Sequence, residues 1–470
     1  LENRHILPER QLPVTHTPRY AAFRILEAVR CHHQTLDIAL DRILESGKTF
    51  SRRDRAFINA LVYGVMRRRA ELDRIINHFS RTRLSKIDPP ILNLLRLSVY
   101  QIRFMDRIPV SAAVNTAVEM AKTVSAGHWV VRFVNGLLRN TAREAERNFS
   151  RLPSPDPQKD PVEALAVQQS FPKWLIKRWM GRYGLMQTRH LCQVINQIPP
   201  ITLRVNTLRI KRCDLLEALT AETRHIRTTL CSRDGISFDH PQKPVFETDA
   251  FKNGWFQVQD EAAQLIAPFL DPAPSERILD ACAGLGGKTG HIAQLMHNRG
   301  EIVAIDHEDG KLKKLKREMQ RLGMTIVRPM LLDLNHPVDE AVTGRFDRVL
   351  LDAPCSGLGV IRRNPDSKWS ESKKNLLRYH ARQCRFLHHV APLVKPQGKL
   401  VFAVCSMEPE ENEQVVKKFL KDHPEFAISH SCGQLSIDAR LLIDPNGFLR
   451  TRPHLHDMDG FFAVCFQRVK

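Results

Sequence analysis

Residues 278–292 read ILDACAGLGGKTGHI, and this stretch decides the class of the fold. Ile278 to Ala281 form a short run of strand length that carries Asp280; Gly284, Gly286 and Gly287 make a turn, and helical spacing begins after Lys288. A strand that passes through a glycine turn into a helix is the opening unit of an alternating α/β sheet. The alternation continues: EIVAID (301–306) precedes the helical GKLKKLKREMQRLG (310–323), and TIVRPML (325–331) and FDRVLLDAP (346–354) follow. A long helical run, LLRYHARQCRFLHHVAPLV (376–394), leads to KLVFAVC (399–405), the helical PEENEQVVKKFLKDH (409–423) and a last strand, GFFAVCFQRV (460–469). Residues 252–470 are therefore expected to form a doubly wound, mainly parallel sheet.

Upstream the pattern changes. Residues 1–150 are helical nearly throughout: Phe23, Leu26 and Val29 recur at helical spacing, as do Phe57, Leu61, Val62 and Val65, and Pro89 and Pro90 mark a helix entry. This is an all-α bundle. Residues 151–161 carry Pro153, Pro155, Pro157 and Pro161 among polar residues and read as a linker. Residues 162–251, with the basic helix FPKWLIKRWMGRYG, the strand-like PPITLRVNTLR and the helical KRCDLLEALTAE, read as a small α+β domain. A chain of 470 residues exceeds what one core usually serves, which agrees with this multidomain division.

Lys and Arg exceed Asp and Glu by 71 to 51, a formal charge of +20, which favours a polyanionic partner, nucleic acid first. Arg67, Arg68 and Arg69 are candidates for RNA phosphates, or equally for an ordinary solvated basic face. The ten cysteines include no C-x-x-C pair, which argues against a zinc ribbon or a disulfide scaffold, and no metal site is expected. The N-terminal LENRHILPERQLPV lacks an apolar core of signal-peptide length and no later run is long enough to span a bilayer, so a cytosolic protein is expected.

The glycine turn, Cys282, Ala283, Gly284, Leu285, Gly286, Gly287 and Lys288, offers a ligand close approach to backbone and to a helix N-terminus. Asp306 closes the next strand, about twenty residues on, where a carboxylate accepts from both ribose hydroxyls. Asp280, Asp333 and Asp352 put further carboxylates along the sheet rim where open α/β folds bind ligands. The turn lacks G-x-G-x-x-G, which favours an adenosine cofactor other than a dinucleotide.

Cys355, in Asp352-Ala353-Pro354-Cys355-Ser356-Gly357, follows one strand, and Cys405, in Val404-Cys405-Ser406, ends another. Either alone reads as a small buried residue. Two thiols on one rim beside a cofactor turn suit a harder reaction. Carbon 5 of cytosine is a poor nucleophile until a thiolate adds at carbon 6 and makes the ring an enamine, which can take a methyl group from a sulfonium.

DAPCSGLG and VCSMEPEENEQVV resemble motifs of the RNA cytosine-C5 methyltransferases, specifically the bacterial small-subunit ribosomal RNA enzymes called Sun or Fmu, and the resemblance covers nearly the whole chain. It implies a Rossmann-like domain that uses S-adenosylmethionine, Cys405 as nucleophile, Cys355 as the helper of release and Asp352 on the base. It also implies cofactor contacts over 282–288 and at Asp306, Asp333 and Asp352. RDRAFINALVYGVMRRRAELD and FVNGLLRN resemble the NusB-like RNA-binding domain of these enzymes, and FQVQDEAAQL and DMDGFFAVCF match further family segments. Two positions depart from the pattern: C-A-A-P-G-G-K is here CAGLGGK, and the residue before Cys405 is Val404 where threonine is usual. The implied partner is small-subunit ribosomal RNA, with transfer RNA or a non-catalytic NusB-like binding role as alternatives. The sequence leaves oligomeric state and target nucleotide open.

Overall fold

The computed structural model describes residues 14–469 except 33, 46–49, 126, 148, 150–151, 153–154 and 340–343. The first thirteen residues, and Arg151, Pro153 and Ser154 of the proline-rich stretch, lie outside the described residues. The chain forms two compact units, 1–196 with 364–370, and 197–363 with 371–470.

The first unit is helical: α1 (Pro18–His32), α2 (Leu36–Glu45), α3 (Arg52–Phe79), α4 (Pro89–Phe104), α5 (Val110–Val124), α6 (His128–Ala145), α7 (Pro161–Gln169) and α8 (Lys173–Asn196). α3 starts at a capping box, in which the Ser51 side chain accepts from Asp54 N and the Asp54 carboxylate accepts from Ser51 N. Its apolar stripe, Leu61, Val62 and Val65, packs with Phe23 and Leu26 of α1 and Leu94 and Leu95 of α4 in one core.

The sequence places residues 364–370, NPDSKWS, inside the catalytic alternation, but they belong to the helical unit. The Trp369 indole donates to Met66 O at 2.6 Å and Lys368 Nζ to Arg67 O at 2.9 Å. Asp366 Oδ2 accepts from Leu36 N at 3.1 Å, giving the first turn of α2 an acceptor from a residue 330 positions away. Lys368 has no exposed surface, and its ammonium stands 4.0 Å from the Phe171 ring centroid. Burial drives its pKa well below the ordinary lysine value.

The second unit carries two sheets. In the small one, β1 (Ile201–Val205), β2 (Arg224–Thr228), β3 (Gly235–Asp239) and β4 (Phe256–Val258) lie in the order β2-β3-β1-β4, with α9 (Arg212–Thr220) packed on it. β4 lies past residue 251, where the sequence reading ends the small domain, and pairs with β1. The large sheet contains β5 (Arg277–Asp280), β6 (Glu301–Asp306), β7 (Val327–Leu331), β8 (Phe346–Asp352), β9 (Val394–Val404), β10 (Phe426–Ile428), β11 (Phe448–Arg450) and β12 (Phe462–Arg468). Its path is β10-β12-β9-β8-β5-β6-β7, with β11 on β12.

β7, β6, β5, β8 and β9 are mutually parallel, as expected, while β12 and β10 join antiparallel, so the sheet is mixed. The central strands read as unbroken apolar runs because both faces are covered: Ile278, Leu279, Ile302, Val303, Val349 and Leu350 have no exposed surface. Among the described residues no helix is long and apolar enough to cross a membrane.

Because Trp369 packs its half-buried ring and an indole hydrogen bond against α3, Trp369→Ala should cost the helical unit about 2 kcal/mol. Hydrogen exchange read by mass spectrometry should show faster opening in α3 with β5 and β8 unchanged. Unchanged protection in α3 would rule out this anchoring.

Candidate active site

The parallel register decides which side chains meet. Asp352 at the end of β8 pairs with Ala403 of β9, and Ala353 N donates to Ala403 O at 2.9 Å. Cys355 and Cys405 therefore leave the sheet side by side, with sulfurs 3.1 Å apart. Two further contacts hold the second thiol from behind. Gly359 N donates to Cys405 O at 2.9 Å, and Gly460 N donates to Gly359 O at 2.9 Å. A side chain at Gly359 would put its Cβ 1.9 Å from Gly460 O, so the close approach of these backbones requires glycine.

Beneath the thiols lies Glu411, which has no exposed surface. It accepts from Ser356 N at 2.8 Å, Ser356 Oγ at 2.5 Å, Ser406 Oγ at 2.5 Å and Gln383 Nε2 at 3.3 Å. One carboxylate thus ties together the residues that follow each cysteine. Burial pushes its pKa up, against the pull of these donors. Cys355 is held well above the ordinary thiol range, first by its hydrogen bond with Cys405 and then by burial.

A cavity of about 310 Å³ opens over this rim, and Cys355 and Cys405 both line it. Of the other residues singled out in the sequence, Cys282, Gly284, Lys288, Asp306, Asp333 and Asp352 also line it. Ala283, Leu285, Gly286 and Gly287 do not; they shape the turn, and the Leu285 side chain is exposed. Gly286 caps the helix Gly287–Leu295 at φ +86°, where an added Cβ would stand 2.9 Å from the Leu315 side chain.

Asp306 Oδ2 accepts from Gly284 N at 3.0 Å and Oδ1 from Glu308 N at 3.0 Å, so the turn is pinned to the end of β6. Asp333, just past β7, is exposed and accepts from Asn335 N at 2.9 Å, which with the Asn335 side chain lowers its pKa. Asp280, expected along the same rim, does not line the cavity: it is buried under Thr289 Oγ1 at 2.6 Å, and burial lifts its carboxyl to about 6. Burial, with Asp280, Asp352 and Asp306 near, also holds the Cys282 thiol well above its ordinary range.

Lys288, read from sequence as part of the cofactor turn, sends its ammonium to Asp352 Oδ2 at 2.5 Å. Burial opposes its charge, but Asp352 and the field of Cys405 outweigh burial and raise its pKa.

The sequence reading missed several groups. Arg382 and Phe386, on the helix Lys373–Val390, line the cavity, and Arg382 Nε is buried with no partner among the described residues. Arg204 of β1, fully buried, supports the glycine turn from the other side: it donates to Gly287 O at 2.7 Å, to Gln257 Oε1 at 2.7 Å and to Gln259 Oε1. Its signal was an arginine inside an apolar strand, LRV, which invites a search for buried acceptors. Arg363 bridges Asp260 Oδ2 at 2.6 Å and Asp459 Oδ2 at 2.9 Å, fastening FQVQDEAAQL to DMDGFFAVCF.

Arg67, Arg68 and Arg69 are half-buried and do not form a solvated face. They stack over Tyr63, Phe104 and Trp369. One grouping among the described residues has metal-ligand spacing, Asp306, His307 and Glu308, and its carboxylates are engaged with Gly284 N and Lys311.

Comparison with known proteins places these features. The 16S rRNA methyltransferase RsmB/F profile matches residues 267–467, the NusB family profile residues 16–143, and the RsmF/B-like ferredoxin-like domain residues 171–245. The chain is 37% identical over 441 residues to a probable ribosomal RNA small subunit methyltransferase B of Bacillus subtilis, covering 92% of this chain and 94% of that one. A protein of the same description from Synechocystis is 36% identical over 96% of this chain and 99% of its own. Among solved structures, PH0851 superposes with a TM-score of 0.77 at 27% identity, covering 97% of this chain and 98% of that one.

Fold and site define a methyltransferase whose catalytic domain follows a NusB-like helical region and a small ferredoxin-like domain. The chain belongs to the 16S rRNA methyltransferase RsmB/F family, as the two cysteine motifs imply.

Asp459, buried and flanked by Asp260, has its carboxyl lifted from 3.8 to about 7, burial first, against the pull of Arg363. A folded pKa above the unfolded one stabilises in full below the unfolded value and is lost as pH rises through the folded one. Asp280, at about 6, acts in the same direction. Wild type should therefore lose melting temperature as pH rises from about 4 to about 7, and Asp459→Asn should show a shallower fall. Parallel curves for the two proteins would refute the assignment.

Proposed function

We propose that this chain transfers a methyl group from S-adenosylmethionine to carbon 5 of a cytosine in small-subunit ribosomal RNA through a cysteine adduct at carbon 6. The observation that carries this reading is the pair of thiols, 3.1 Å apart, lining the cavity that also takes Asp306 and Asp352.

The cavity suits the cofactor. A Cβ added at Gly284 would meet nothing within 4 Å, so the turn leaves open space at the cavity wall. Asp306 Oδ2 keeps a second lone pair for a ribose hydroxyl, while Oδ1 also has the His307 ring at 3.3 Å, and the Arg382 guanidinium suits an amino-acid carboxylate. The turn 282–288 would carry the cofactor, with Asp306 on the ribose and Asp333 near the adenine. Bound there, S-adenosylmethionine supplies an electrophilic methyl group.

The rest is the work of this chain's residues. The target base leaves its stack to enter the cavity. Asp352, paired with Lys288, holds the amino and N3 edge of the cytosine, and as the thiolate adds, a proton passed from Lys288 through this carboxylate to N3 neutralises the charge that develops on the ring. Cys405, in the field of Lys288, adds to carbon 6 as thiolate, and carbon 5 becomes nucleophilic. Cys355, hydrogen-bonded to Cys405, passes its own proton to the departing Cys405 sulfur and takes the carbon 5 proton in exchange, while the carbon 5–hydrogen pair re-forms the ring double bond and the carbon 6–sulfur pair returns to Cys405.

Wild type, Cys405→Ala and Cys355→Ala should be incubated with 16S ribosomal RNA transcript and S-adenosylmethionine and run on a denaturing gel. Cys355→Ala should accumulate a stable protein–RNA adduct and Cys405→Ala should form none. An adduct that depends on Cys355 reverses the roles, and RNA binding with neither adduct nor methylation removes the reading. Arg204→Met, which leaves both thiols intact, should weaken cofactor binding about tenfold by calorimetry because Gly287 O loses its donor. An unchanged affinity would show that the turn holds its shape without it.

A further inference from the structure

A second cavity, of about 270 Å³, lies wholly within the helical unit. Its wall includes Arg30, Arg69, Arg96, Asn93, Asp366 and Trp369. Most of these polar groups satisfy one another. Arg96 donates to both Asp73 oxygens, at 2.6 and 2.8 Å, and to Asn93 Oδ1 at 2.8 Å. Arg30 donates to both Glu27 oxygens, at 3.2 and 2.5 Å, and Asn93 Nδ2 donates to Glu27 Oε1 at 2.7 Å.

Two groups stand apart. Asp366 is 6% exposed, and while its Oδ2 accepts from Leu36 N, its Oδ1 is buried with no partner among the described residues. Arg69 has neither a hydrogen bond nor an ion pair among the described residues; its guanidinium carbon lies 5.2 Å from the Trp369 ring centroid. Burial, with Arg96 nearby and against the pull of Asp73, brings the Arg69 pKa down to about 10, still a cation at neutral pH. Arg69 and Asp366 face one cavity and do not pair with each other.

A half-buried guanidinium with no hydrogen-bond acceptor and a buried carboxylate oxygen with no donor cost free energy until one ligand meets both. A bare anion would suit Arg69 and be repelled by Asp366, and a cation would do the reverse. What fits is a flat ring long enough to reach both groups, with acceptors on one edge and donors on another. Guanine has this pattern: O6 and N7 accept from a guanidinium, while N1–H and the 2-amino group donate to a carboxylate. Adenine would turn its N1 lone pair toward Asp366. Trp369 gives such a ring an aromatic surface.

We infer that this cavity binds an unpaired guanine, with Arg69 on its O6 and N7 edge, Asp366 Oδ1 on its N1 and amino edge, and Trp369 beside the ring. The inference rests on the RNA reading above for the source of that base.

The probe is guanosine 5′-monophosphate, titrated into the full chain by saturation-transfer NMR, with S-adenosylhomocysteine present to occupy the cofactor cavity. Adenosine, cytidine, uridine and inosine monophosphates and inorganic phosphate are compared. The guanine nucleotide should bind at least tenfold more tightly than the adenine and pyrimidine nucleotides. Inosine monophosphate, lacking the 2-amino group, should fall between.

Arg69→Met should lose at least tenfold in this affinity with its circular dichroism unchanged. Asp366→Asn should lose as much, and if that variant unfolds because Asp366 also caps α2, Arg69→Met decides. Equal binding of adenine and guanine nucleotides, full displacement by phosphate, or wild-type affinity in Arg69→Met overturns the site. Guanine binding through Arg69 without adduct formation keeps the site and drops the methyl transfer; methylation without guanine binding does the opposite.

Discussion

The active site depends on the pairing of β8 with β9. Parallel neighbours in a twisted sheet end on the same rim, and the Asp352–Ala403 register fixes where each chain leaves the ladder. Cys355 and Cys405 are fifty residues apart in sequence, and only this register brings their sulfurs to 3.1 Å. A one-residue slip would turn every side chain of β9 to the other face, so the buried runs on both faces that fix the register also fix the chemistry.

Around that pairing the molecule uses buried polar groups as fasteners. Glu411 joins the loops after the two cysteines, Arg204 joins the small sheet to the glycine turn, and Arg363 joins Asp260 to Asp459. Each sits where a lone charge would be expensive, and each is surrounded by partners. Such groups confer position more than stability. Removing one partner strands the other, so the geometry is specified sharply even where the net energy is small.

The positive charge of the chain is spent less openly than its count suggests. Arg67, Arg68 and Arg69 lie over aromatic rings, and Lys368 is buried against Phe171. Guanidinium groups tolerate this because they are weakly hydrated and stack well. The helical unit thereby keeps Arg69 and Asp366 inside a cavity, where they can read a ligand by hydrogen bonding as well as by charge.

The sequence by itself determined the alternation that makes the large sheet, the helical character of the N-terminal region, the glycine turn and the two cysteine motifs, because these are local: periodicity, turn chemistry and strand-end position are written in neighbouring residues. It also carried the resemblance that the family comparison then established. Tertiary structure alone decided that NPDSKWS joins the helical unit, that Lys288 turns to Asp352, that Asp280 stays out of the cavity, that Arg382 lines it and that Arg204 holds the glycine turn. Most of those facts are pairings between residues distant in sequence. A buried arginine or lysine declares in sequence only that it needs partners; which partners it finds is settled when packing brings the acceptors to it.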